Sequence, residues 1–189
     1  LGSASTHLKV NDALALSGIA LETGAGSLTL SGALALTDNA SLNSSGGTIT
    51  LVSGGSVSSD SVVSLPDTTL WTGNYFTFSG STLTVSNTTF TPNSNVPSLG
   101  LSLSNSSILE VEGVQDLSGV LLPDNSTTLR LSANSTIDDN ASLSVGTLDL
   151  ANFALTLDDN MSRLSVAQPV TLDNTGEKIV TGNADLSLN

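Results

Sequence analysis

The chain has no cysteine, so neither a disulfide framework nor a thiolate metal site can be built from it. It has one histidine, His7, which leaves no histidine cluster for zinc and no base around which to assemble a nucleophilic triad. His7 reads instead as a surface residue of an end coil. Cations are almost as scarce: Lys9, Arg130, Arg163 and Lys178 stand against 17 acidic residues, for a net charge of −13. Four scattered cations cannot form the clustered basic patch that a phosphate backbone or an anionic lipid surface requires. Nucleic acid and anionic membrane are therefore excluded as expected partners, while divalent cations, neutral glycans and other proteins remain.

Other shortages narrow the field further. No run approaches the roughly eighteen consecutive apolar residues of a membrane span, and no charged-then-apolar leader is present. Aromatic residues make up 3% of the 189 residues and charged residues 11%, where about a quarter is usual. Such composition would suggest disorder if the apolar residues were few and random. Here the mean hydropathy is positive, +0.21, and the apolar residues recur at fixed spacing. With Leu1 in first place, the chain is expected to be a processed or excised part of a longer secreted protein.

What the sequence does contain is a short unit, apolar–small or polar–apolar, bounded by Ser, Gly, Asn or Asp. Leu14-Ala15-Leu16, Leu28-Thr29-Leu30, Leu34-Ala35-Leu36, Ile49-Thr50-Leu51, Leu83-Thr84-Val85 and Leu155-Thr156-Leu157 are examples. Alternation with period two is the signature of a strand with one face buried. Strands this short bury two or three side chains each and gain stability only when the same unit stacks on itself. The longer spacing supports stacking: Leu14 to Leu34, Leu28 to Ile49, Asp139 to Asp159, Leu143 to Leu164 and Leu164 to Leu186 are about 20–22 residues apart.

The expected fold is therefore all-β, a single parallel β-solenoid over residues 1–189 with about nine coils. The alternative is an antiparallel β-sandwich of a fibre subunit completed by a neighbour's strand. Partial copies such as Thr37-Asp38-Asn39-Ala40-Ser41-Leu42 and Asp138-Asp139-Asn140-Ala141-Ser142-Leu143 place Asp and Asn, which tolerate left-handed backbone angles, where a coil would turn. Residues 65–99 hold Pro66, Pro92 and Pro97 with Trp71, Tyr75, Phe76, Phe78 and Phe90. An irregular segment, a projecting hairpin or a change of coil length is expected there.

These Leu-x-Leu strands, Asn/Asp/Gly corners and coils near twenty residues resemble the parallel β-helix stalks of filamentous-haemagglutinin-like and autotransporter surface proteins. The resemblance implies an extracellular or cell-surface scaffold for adhesion, biofilm or matrix, and carries over no site residues. The expected function is accordingly a non-catalytic structural or adhesive module. Its partner would be a host or matrix surface protein or glycan, or further copies of itself in a filament.

Four constellations could carry more than structure. Asp138, Asp139, Asp158 and Asp159 would lie about 4.8 Å apart if one coil separates them, close enough to share calcium. The plainer reading is solvated turn residues, since the glycine-rich nonapeptide of calcium β-rolls is absent. The same carboxylates could be a glycosidase pair flanking a groove, an alternative that needs an aromatic floor beside them. Trp71 and Tyr75 are the candidate ligand-binding residues, because exposed rings stack on sugars or anchor a protein partner; alternatively they fill a satellite core. Outward Thr29, Thr50, Thr77, Thr84 and Thr156 suggest a threonine row of the kind an ice-binding surface uses. Asn-x-Ser/Thr sequons at Asn39, Asn43, Asn87, Asn105, Asn125, Asn134, Asn140 and Asn160 would carry glycans in a glycosylating secretory system. No cofactor other than calcium is suggested.

Overall fold

A computed structural model describes residues 6–91, 101–117, 120–122, 125–138, 141–158, 163–170, 172, 176–182 and 184–188. All regular structure in these residues is β-strand, and every strand pairing is parallel. Partners lie about one coil apart in sequence: His7 opposite Ser27, Leu28 opposite Ile49, Thr69 opposite Thr48. The chain is a parallel β-solenoid, and the sandwich alternative is not favoured.

Each coil contributes one strand to each of three faces. The first face stacks His7–Val10, Ser27–Leu30, Thr48–Leu51, Thr69–Thr72 and Thr89–Thr91. The second stacks Leu14–Ser17, Leu34–Thr37, Gly55–Ser58, Phe76–Ser79, Leu101–Ser104 and Val120–Leu121. The third begins with Ala20–Gly24, Ser41–Ser44, Val62–Pro66 and Thr82–Ser86, then passes into two long strands, Ile108–Asp116 and Thr128–Asp138.

Those long strands bend round a corner. Residues 108–111 pair with 128–131, and after a register shift 113–116 pair with 135–138, so their second halves open the next turn. About seven turns carry all three strands. Ala154–Leu157 with Arg163–Val166, and Lys178–Val180 with Asp185–Leu188, continue the stack with two strands each.

Alternation decides which side chains form the core. Leu28, Ile49 and Leu70 stack beneath the first face, Leu36, Val57, Phe78 and Leu103 beneath the second, and Leu42, Val63, Leu83, Leu109 and Leu129 beneath the third, all buried. Each such side chain is stabilised by about 1.5–3 kcal/mol relative to exposure. The corners between second and third faces use left-handed backbone at Asp38 and Asn39, Ser59 and Asp60, and Asn105 and Ser106. Asp and Asn tolerate these angles because their short polar side chains bond locally. Consecutive corners are joined by Asn39 N donating to Ser59 O at 3.0 Å and Asp60 N donating to Gly80 O at 2.9 Å.

The interior of the corners is polar. Thr23, Ser44, Thr68, Thr88 and Ser135 are buried where the third face turns into the first, and Ser61, Ser81, Ser107 and Thr127 where the second turns into the third. A strand corner frees carbonyls from the ladder, and an inward hydroxyl can bond one without leaving the core. Thus Ser81 Oγ donates to Val57 O at 3.2 Å, Thr127 Oγ1 to Leu103 O at 3.2 Å and Ser135 Oγ to Val111 O at 3.1 Å.

Of the irregularities expected over 65–99, the register shows a change of coil length, since Phe76 and Leu101 are 25 residues apart and Thr82 and Ile108 are 26 apart, while the coil as far as residue 91 is regular. Thr69–Thr72, Phe76–Ser79, Thr82–Ser86 and Thr89–Thr91 stack in register on their neighbours. Pro66 ends its strand, where a missing N–H costs least. The aromatic pair fits because Phe76 stacks on Gly55, which has no side chain to compete for the same space. Pro92 and Pro97 lie outside the described residues.

Candidate binding surface

The three faces differ in what they show to solvent. From the second turn to the fifth, the outward positions of the first face are Ser27 and Thr29, Thr48 and Thr50, Thr69 and Trp71, and then Thr89. No charge occurs among them. Over the same turns the second face is also uncharged, with Ala35, Thr37, Ser56, Ser58, Thr77, Ser79, Ser102 and Ser104 outward. Carboxylates gather on the third face, at Glu22, Glu110, Glu112 and Asp149, and at corners such as Asp38, Asp60 and Asp67.

On the third face Glu110, Arg130 and Asp149 stand in consecutive register. Arg130 Nε donates to Asp149 Oδ2 at 3.0 Å, and both side chains are about two-fifths exposed, at 39% and 40%. Other acidic residues are likewise spent on bonds between turns. Ser17 Oγ donates to Asp38 Oδ2 at 2.7 Å, Asn43 Nδ2 to Glu22 Oε1 at 2.7 Å and Asn87 Nδ2 to Asp67 Oδ1 at 2.8 Å. Three of the sequon asparagines, Asn43, Asn87 and Asn105, donate through their amides to tie one coil to the next.

Trp71 lies on the first face, half-buried, and the far edge of its indole reaches the space a Gly73 side chain would occupy. The ring is thus laid along the strand toward the corner. Tyr75 is at that same corner, 48% exposed, with the exposed Val52 one turn away. The structure brings Trp71 and Tyr75 to one edge of the first face, on a regular coil and not on a projecting loop.

The four aspartates are described in part. Asp138 ends the strand Thr128–Asp138 opposite Asp116, and Asp158 follows Leu157, whose partner is Ile137. The register therefore stacks the backbones of Asp116, Asp138 and Asp158 in three consecutive turns. Asp139, Asp159 and the side chain of Asp138 lie outside the described residues. Among the described residues no three of His, Cys, Asp or Glu come together to hold a metal ion. Trp71, in the fourth turn, stands about 14 Å or more along the axis from the backbones of Asp138 and Asp158, so neither it nor Tyr75 supplies an aromatic floor beside them.

No known protein family matches the chain, and no curated protein or solved structure is significantly similar to it.

The expected threonine row is distributed differently. Thr29 and Thr50 are neighbours on the first face, whereas Thr77 is on the second and Thr84 on the third, because successive strands of one coil belong to different faces. Thr156 pairs with Thr136 higher in the stack. Sequence reasoning passed over Ser27, Thr48, Thr69 and Thr89, although the repeated Thr-x-Thr of 48–50 and 89–91 was there to be read. His7 begins the first strand and is exposed. Arg163 lines a depression of the second face with Ser142, Ser144 and Ser165. Among the described residues no helix is long and apolar enough to cross a membrane.

Proposed function

We propose that this chain is a non-catalytic structural and adhesive module of an extracellular or cell-surface protein, built like the β-helix stalks of surface adhesins. The observation that carries the reading is the stack itself: parallel coils in register over one apolar core, with two faces that bear hydroxyls and no charge from the second turn to the fifth. A continuous ladder resists bending, and the faces offer broad contact without a cleft. The acids on the third face and the corners keep the rod soluble through the net charge of −13. Partners of this module would be matrix or host surface glycans or proteins, in a biofilm or on a host surface.

The test is display of the chain on cells that do not otherwise adhere, followed by attachment to abiotic, protein-coated and polysaccharide-coated surfaces. Attachment above that of undisplayed cells supports the adhesive role. Equal attachment on every surface leaves a passive spacer and overturns it.

A further inference from the structure

The first face combines three properties found together nowhere else among the described residues. It is flat, because Leu28 to Ile49, Ile49 to Leu70 and Leu70 to Phe90 pair one to one without a bulge. It is uncharged over four turns in a chain of net charge −13. It also carries an indole, Trp71, framed by the hydroxyls of Thr50 and Thr69. We propose that this face binds a neutral, ribbon-shaped polysaccharide, with Trp71 as the stacking platform and the neighbouring Ser and Thr hydroxyls as hydrogen-bond partners. The proposal deepens the adhesive reading and rests on it.

Charge and area select this occupant. An acidic polymer would meet the repulsion of the whole acidic surface, and a basic one would find no carboxylate on the face. A neutral sugar needs neither. Its hydroxyls donate and accept, as threonine hydroxyls do, so the two can pair in either direction. Its ring C–H groups form an apolar surface suited to an indole. A protein partner is disfavoured by size: three strands of four residues and one of three offer about 240 Å², against about 800 Å² per partner in a stable protein interface. A flat sugar ribbon requires no groove, and the face provides none. Tyr75 and Val52, exposed at the adjoining corner, extend the apolar strip on which the ribbon would lie.

The experiment is depletion of the purified chain from solution by microcrystalline cellulose and by chitin, with alginate gel as the anionic control. The expected result is binding to cellulose, chitin or both, and none to alginate. Trp71→Ala should weaken binding about tenfold, while Trp71→Tyr retains most of it. Thr50→Val should weaken it severalfold, and Thr77→Val on the second face should leave it unchanged. Circular dichroism verifies that each variant keeps its strand content. Failure to bind either neutral polymer overturns the proposal, as does wild-type binding by Trp71→Ala. So does arrest of ice growth that depends on Thr50 in the absence of sugar binding, which would assign the face to an ordered water surface. Attachment of displayed cells to protein-coated surfaces without polysaccharide binding would overturn only the ligand class and leave the adhesive reading in place.

Discussion

Gln115 binds both backbone polar atoms of Thr88: its Oε1 accepts from Thr88 N at 3.0 Å, and its Nε2 donates to Thr88 O at 2.7 Å. Gln115 is buried, and it comes from the strand Ile108–Asp116 as that strand rounds into the next turn. A side-chain amide thus does for Thr88 what a peptide of the next coil does elsewhere in the ladder. Replacing Gln115 by Leu would leave a buried donor and a buried acceptor unmet, at about 1–3 kcal/mol for each group. The expected outcome is a lower urea midpoint for Gln115→Leu with an unchanged m-value, read by equilibrium unfolding.

Ser61 presents the opposite case. Its hydroxyl is buried without a partner, while Ala40 occupies the equivalent inward position one turn below. Removing an unsatisfied buried polar group is neutral or favourable. Ser61→Ala should therefore raise the melting temperature or leave it unchanged, whereas Ser81→Ala, which frees the Val57 carbonyl from its bond, should lower it.

Gly55 and Phe76 form a complementary pair in the second-face column. A Cβ at Gly55 would press on the Leu34 backbone and on Leu34 Cβ at 2.9 Å. Gly55→Val should cost about 1–3 kcal/mol through overpacking, and Phe76→Ala about 3–5 kcal/mol through the cavity it leaves. Urea unfolding of the two single variants measures both.

The Arg130–Asp149 ion pair should contribute little, since both groups are well exposed. Asp149 also accepts from Ala151 N at 3.2 Å through Oδ1. Asp149→Asn keeps an acceptor for that turn and should shift stability by less than about 1 kcal/mol, while Asp149→Ala loses the turn contact as well and should be the less stable variant. Comparing their melting temperatures separates the charge from the hydrogen bond.

Screening should stabilise a chain of net charge −13 whose register stacks the backbones of Asp116, Asp138 and Asp158 in consecutive turns. The expected outcome is a melting temperature that rises with sodium chloride and rises equally with calcium chloride at matched ionic strength. An additional rise specific to calcium would assign Asp138 and Asp158 a ligand role.

Much of this architecture was legible because a solenoid writes its register into the spacing of its leucines. Leu14 with Leu34, Leu28 with Ile49, Leu143 with Leu164 and Leu164 with Leu186, picked out by spacing alone, are direct ladder partners. Asp38 and Asn39 were recognisable as a corner from their chemistry. The number of faces was not, because period two says that a strand is half-buried but not which neighbour it turns toward. That is why Thr29, Thr77 and Thr84 read as one row and fall on three faces. Regularity over 69–86 was hidden for another reason: the fit of Phe76 depends on Gly55, a residue 21 positions earlier whose contribution is the side chain it lacks. Gln115 gave no signal, since a polar residue in a strand reads as outward until the corner that turns it inward is known. Trp71 was singled out as an exposed ring; the structure sets it half-buried on a regular coil, and only the register supplied its hydroxyl frame.

The pairing of each coil with the next alone also determines how the molecule would respond to load. A turn occupies about 4.8 Å of the axis yet stores about 21 residues, which reach about 70 Å when drawn out. Pulled from its ends, the rod would shed coils in sequence, each release paying out many times the length it had occupied while the remaining ladder stayed intact. A tether of this kind absorbs a sudden pull by lengthening before its attachment has to fail.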